Sequence, residues 1–97
     1  MSKLSEQDIK AKLLRFPDWG YYDNAIHAEF EFENFKDCFG AMSRIAFECE
    51  ALSHHPKWSN TYNILTISLS THDAGGVTNK DFKLAEAIED IVVPDEE

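Results

Sequence analysis

Residues 48–62 read ECEALSHHPKWSNTY, with His54 and His55 side by side and sealed by Pro56. Imidazole is the one side chain whose ordinary titration falls near neutral pH, so neighbouring rings can supply both a general acid and a general base. Glu50 lies four residues before His54. On a helix that spacing stacks the carboxylate one turn from the ring, where it can fix the tautomer. His72 arrives later, in STHDAGG, beside a glycine loop. His54, His55 and His72 are therefore the candidate proton carriers, provided the fold brings them to one mouth. Each residue also has a plainer role open to it. His54 can simply end a helix, where a cation is favoured. His72 and Asp73 can be loop residues, Trp58 and Tyr62 can be core, and His27 can be an exposed strand residue. Asp81, three residues after Thr78, can complete a helix cap. Glu50, His54, His72 and Asp73 could imitate a zinc sphere, but an adjacent His-His pair splays its rings, so no metal is expected.

These side chains need elements to hold them. Ser5, with Asp8 three residues on, starts a short helix carrying Ile9, Leu13 and Leu14, and Pro17 closes it. Trp19 to Tyr22 reads as a strand and Asp23-Asn24 as a turn. AIHAEFEFE alternates cleanly, with Ile26, Ala28, Phe30 and Phe32 on one side and His27, Glu29, Glu31 and Glu33 on the other. That is a half-buried strand. Asn34 caps a long helix over 35–53, expected to end near His54 because the residue before Pro56 is pushed out of helical angles. Its apolar face is read as Phe35, Cys38, Phe39, Met42, Ile45, Ala46, Cys49 and Leu52. Phe47 points elsewhere, with Gly40 and Ala51, and marks either a second packing surface or a lone exposed aromatic. Residues 58–70 are long enough for two short strands with a turn near Asn63-Ile64. After a loop at 74–76, Thr78 caps a last helix with Phe82, Ala85, Ile88 and Val92 inward. Asp95, Glu96 and Glu97 read as a frayed acidic end. The order α-β-β-α-β-β-α predicts an α+β, two-layer domain: a four-stranded antiparallel sheet with the helices on one face.

The bulk properties agree with one domain spanning residues 1–97. The chain has 97 residues, 43% of them hydrophobic, and a formal net charge of −9. This suits a single modest core, and the acid excess disfavours direct contact with nucleic acid phosphates. No apolar run approaches the roughly 20 residues of a membrane span. MSKLSEQDIKAKLL lacks the apolar stretch of a secretion signal, so a cytoplasmic protein is expected, with a nuclear location also open to it. Cys38 and Cys49 are 11 residues apart on one helix, roughly 16 Å along its axis, too far for a disulfide.

A longer pattern runs through the candidate site: Glu50, three residues, His54-His55-Pro56, five residues, Tyr62, nine residues, His72, eight residues, Asp81. This spacing resembles the signature of the pterin-4a-carbinolamine dehydratases. MSRIAFECE, SHHPKWSNTYN, ISLSTHDAGGVT and DFKLAEAIE also resemble that family, over roughly residues 19–91. The resemblance implies dehydration of 4a-hydroxytetrahydropterin to quinonoid dihydropterin and water, within tetrahydrobiopterin recycling and without a cofactor. It implies His54, His55 and His72 as acid and base groups, with His55 foremost. Glu50, Trp58, Ser70 and Thr71 would meet the pterin, Glu50 alternatively orienting His54. Pro56, Tyr62 and Asp81 would be structural support. It further implies a homotetramer, a dimer of dimers built through the 35–53 helix. In some animal relatives that helix also contacts the dimerisation helices of a homeodomain transcription factor, so a coactivator role is the alternative function.

Overall fold

The computed structural model describes residues 2–93. Asp95, Glu96 and Glu97 therefore lie outside the described residues. The elements are α1 (Glu6–Leu13), β1 (Trp19–Tyr22), β2 (Ala25–Glu31), α2 (Phe35–Leu52), β3 (Lys57–Thr61), β4 (Ile64–Leu69) and α3 (Asn79–Val92), with a 3-10 turn at His72–Ala74. The order is the expected one. The sheet is antiparallel throughout, ordered β1-β2-β4-β3.

Alternation decides which sheet face is covered. Trp19, Ala28, Ile67 and Trp58 lie in one cross-strand row, flanked by the Ile26–Leu69 and Phe30–Leu65 pairs. These residues join Ile9, Ile45, Cys49, Phe82 and Ile88 from the helices in one core. The opposite rows carry His27, Ser68 and Lys57, then Glu29, Thr66 and Ser59, and stay wet. Three helices thus cover one face. Burying the wholly enclosed Ile26, Leu65, Ile67 and Leu69 contributes roughly 1.5–3 kcal/mol each.

The turns follow their chemistry. Asp23 and Asn24 both take positive φ, 51° and 61°, as the two central residues of a type I′ hairpin turn do. The β3–β4 connection is Tyr62-Asn63, one residue earlier than the sequence suggests, with Tyr62 at φ 52°. Tyr62 is 63% exposed at that tip and supports no core.

Three expectations about apolar faces need correcting. Leu14 is exposed, because α1 ends at Leu13 and only Ile9 is fully enclosed. In α2 the buried set is Cys38, Ala41, Ile45 and Cys49, with Met42 and Leu52 partly buried, so the inward stripe is rotated away from Phe35, Phe39 and Ala46. α3 also buries Leu84. Cys38 and Cys49 are free and buried, and burial pushes both thiols above their ordinary titration range.

Candidate active site

β3 begins where β4 ends, since Lys57 pairs with Ser68. The segment before β3, His54-His55-Pro56, and the segment after β4, Ser70-Thr71-His72, therefore leave neighbouring strands at the same edge of the sheet. The β1–β2 turn borders this edge too. The Asn24 side-chain amide donates to the Gly75 carbonyl at 2.7 Å, and the Ser70 hydroxyl donates to the Asn24 carbonyl at 3.1 Å. The glycine loop is thus pinned from the far side of the sheet. Gly75 sits at φ 79°, in the left-handed region glycine tolerates.

The exit from α2 sets the histidines apart. Ser53 takes a left-handed conformation at φ 53° and ψ 44°. Its N–H donates to the Glu50 carbonyl at 3.2 Å, and the His54 N–H donates to the Cys49 carbonyl at 3.0 Å. That crossed pair is a Schellman motif. It takes His54 off the helix, so the expected stacking of Glu50 on His54 does not form. Glu50 meets His55 instead, its Oε2 2.8 Å from the ring Nε2. Both partners are exposed, which makes this a weak, screened pair that steers the ring more than it stabilises the fold.

His54 turns inward and is only 8% exposed. Its Nε2 lies 2.5 Å from Oδ1 of Asp81, a carboxylate with no solvent exposure. Asp81 is the third residue of α3 and closes a capping box with Thr78, as expected. Its second duty, holding His54, carried no sequence signal, because the partners are 27 residues apart. The other oxygen, Oδ2, accepts from the Thr71 hydroxyl at 2.8 Å and the Thr78 N–H at 2.9 Å. No buried side-chain nitrogen or oxygen among the described residues lacks a partner. Such a closed network rigidifies its members.

The remaining residues fall as follows. His72 opens the 3-10 turn one residue after Thr71 and is exposed. Pro56 and Trp58 are half-buried, and Trp58 packs against the core. The hydroxyl protons of Ser70 and Thr71 go to protein acceptors. The Thr71 backbone is also engaged, its N–H donating to the Gly76 carbonyl at 2.8 Å and its carbonyl accepting from the Ala74 and Gly75 N–H groups. The expected Thr71 contact with a ligand is therefore not free to form. His27 stacks on Tyr22 with ring centroids 3.8 Å apart and bonds the Tyr22 carbonyl, a local strand contact. Among the described residues no group of three or more His, Cys, Asp or Glu stands together as a metal-ligand set. A cleft of about 610 Å³ lies between α1 and α3 against Phe16 and Phe82 and is lined by no histidine. The histidines lie outside this cleft, at the ends of β3 and β4.

The fold is a two-layer α+β domain with His54, His55 and His72 at the ends of β3 and β4. The description "Pterin 4 alpha carbinolamine dehydratase" belongs to the family model that matches residues 2–91. A Christiangramia forsetii protein provisionally named pterin-4-alpha-carbinolamine dehydratase is 63% identical over 92 residues, covering 95% of each chain. A Solibacter usitatus protein with the same provisional name is 48% identical, covering 87% of this chain and 88% of its own. The crystal structure of a transcriptional coactivator/pterin dehydratase from Brucella melitensis superposes with a TM-score of 0.91 at 35% identity, over 94% of this chain and 99% of that one. The chain belongs to the pterin-4a-carbinolamine dehydratase family.

Proposed function

We propose that this protein dehydrates 4a-hydroxytetrahydropterin, releasing quinonoid dihydropterin and water. The observation that carries the reading is membership of the dehydratase family along nearly the full chain, joined to a histidine edge suited to proton transfer. The chemistry asks for little else. Hydroxide is a poor leaving group, so the departing oxygen takes a proton as the C4a–O bond breaks. A ring-nitrogen lone pair forms the new double bond, and the ring system gives up one proton. Atoms balance as one water lost. Positioned acids and bases contribute about 10²- to 10⁴-fold each.

His55, exposed and steered by Glu50, is the foremost proton carrier. His54 and His72 share the remaining acid and base roles. Trp58 offers an apolar wall, and the Ser70 backbone offers polar contacts to the pterin edge. No metal or organic cofactor enters the reaction. The pathway context is tetrahydrobiopterin recycling in the cytoplasm. The acting form is a homotetramer, a dimer of dimers through α2.

A coactivator role is the second reading, supported by the exposed phenylalanines of α2 and by the Brucella melitensis neighbour, described as both coactivator and dehydratase. A stopped-flow assay with 4a-hydroxytetrahydropterin separates the two. Wild type should accelerate dehydration, and His55→Ala and His54→Ala should each lose about 10²-fold or more. The exposed His55 variant should keep the wild-type stability. The buried His54 variant should be less stable because Asp81 loses its partner, with circular dichroism checking both folds. Absence of catalysis by wild type would leave only the binding role. Full activity in both variants would remove the histidines from the mechanism.

A further inference from the structure

The hydrogen-bond directions around Asp81 leave His54 one arrangement. An ionised carboxylate has no proton to give, so every partner must donate to it. Thr71 has one hydroxyl proton, and it goes to Asp81 Oδ2 at 2.8 Å. Thr71 Oγ1 also lies 2.7 Å from Thr78 Oγ1, so there the Thr78 hydroxyl is the donor. Thr78 Oγ1 accepts in turn from the Lys80 N–H at 3.2 Å. The Thr78 N–H adds a second donor to Oδ2 at 2.9 Å. Two donors therefore hold Oδ2, and Oδ1 faces His54 Nε2 at 2.5 Å. The ring must present an Nε2–H. Thr78, Asp81 and His54 are buried, so water does not compete for these bonds.

We propose that Thr71 and Thr78 are positioning residues that clamp Asp81, and through it fix His54 so that Nδ1 is the nitrogen that exchanges protons. In the neutral ring the proton sits on Nε2 and the Nδ1 lone pair is free to act as base. When Nδ1 takes up a proton, the cation stays paired with Asp81. Proton gain and loss then proceed without turning the ring. This assigns the Thr71 hydroxyl to His54 and not to substrate. The proposal rests on the dehydratase reading only for its kinetic test.

The clamp makes an inverse prediction. In Asp81→Asn the Thr78 N–H still needs an acceptor at the Oδ2 position, and an amide NH₂ cannot accept, so the carboxamide oxygen must stand there. Its NH₂ then faces His54 Nε2. The ring is forced to accept there and carry its proton on Nδ1, the wrong tautomer for exchange. A comparable carboxylate-to-amide change in a serine protease, a worked case in general enzymology, costs about 10⁴-fold through the same inversion.

Side-chain ¹⁵N NMR of the histidine rings is the test, because it reads tautomers directly and independently of turnover. Wild type should keep the His54 Nε2 protonated on both sides of its titration, with only Nδ1 changing. Asp81→Asn should move the neutral-ring proton to Nδ1. A wild-type neutral ring protonated at Nδ1, or an Asp81→Asn ring still protonated at Nε2, overturns the proposal. In the dehydration assay, Thr71→Val should lower kcat about tenfold or more with KM within about threefold, and Thr71→Ser should restore kcat to within about threefold. An unchanged kcat in Thr71→Val, or a Thr71→Ser as impaired as the valine variant, also overturns it. If near-UV circular dichroism shows that Asp81→Asn does not fold, the wild-type spectrum and the Thr71 pair decide. A wild type without dehydratase activity would defeat the proposed function, while the NMR result would still decide the clamp.

Discussion

Glu89 is half-buried on α3 and accepts the Trp19 indole N–H at 3.0 Å, tying the last helix to β1. Burial holds its carboxyl above the ordinary value of 4.5, and the nearby Asp18 charge adds to the shift against the opposing pull of the indole. The folded state therefore binds this proton more tightly than the unfolded chain. The associated stability is present below the unfolded value and is lost as pH rises through the folded one. Glu89→Gln keeps an acceptor for Trp19 and removes the charge. It should melt higher than wild type at about pH 7, with the difference vanishing at about pH 3. Thermal scans at the two pH values check this, and a variant less stable at neutral pH would contradict it. At this scale the candidate histidines were legible from their types and spacing. Their partners were not. Glu50 at i−4 from His54 suggested the wrong pair, because the pairing depends on one left-handed residue, Ser53, that nothing in its type announces.

At the scale of elements, Ser53 is also the clearest place to gain stability. It occupies the position of a Schellman motif where glycine is usual, and a side chain there costs about 1–2 kcal/mol. Ser53→Gly avoids that strain but adds backbone freedom to the unfolded chain. The net expectation is a gain of about 0.5–1 kcal/mol, read as a higher urea midpoint at unchanged slope. A loss of stability would mean that the Ser53 side chain has a role the backbone geometry does not reveal. The element order and the β2 alternation were readable because period and turn chemistry agree there. The inward face of α2 was not, because its apolar residues cover more of the helix than the core uses. Ala41 is buried while Phe35 and Phe39 are left outside, with ring centroids 5.9 Å apart. Periodicity alone cannot say which edge of so wide a stripe meets the sheet.

At the scale of the molecule, that excess apolar surface becomes the main question. Phe35, Phe39 and Phe47 are 48%, 54% and 75% exposed on one helix of a chain carrying a net charge of −9. Scattered single aromatics need no explanation, but several on one element favour association. If α2 joins the subunits, Phe47→Glu places a charge in that contact and should shift the assembly to a smaller species without altering the subunit's circular dichroism. Size-exclusion mass at low micromolar concentration reads the result, and an unchanged mass would clear the Phe47 side of the helix from the interface. No helix among the described residues is long and apolar enough to cross a membrane.

The central claim is that one flat pterin ring is met by His54, His55 and His72 together. A titration of unreactive 7,8-dihydropterin into uniformly ¹⁵N-labelled protein, read at the histidine rings and at the backbone amides, tests it most directly. The three rings should shift along one binding curve, with His27, on the wet face of the sheet, left unmoved. Shifts confined to residues of the α1–α3 cleft, or a His72 ring that stays silent while the ligand saturates, would contradict the account.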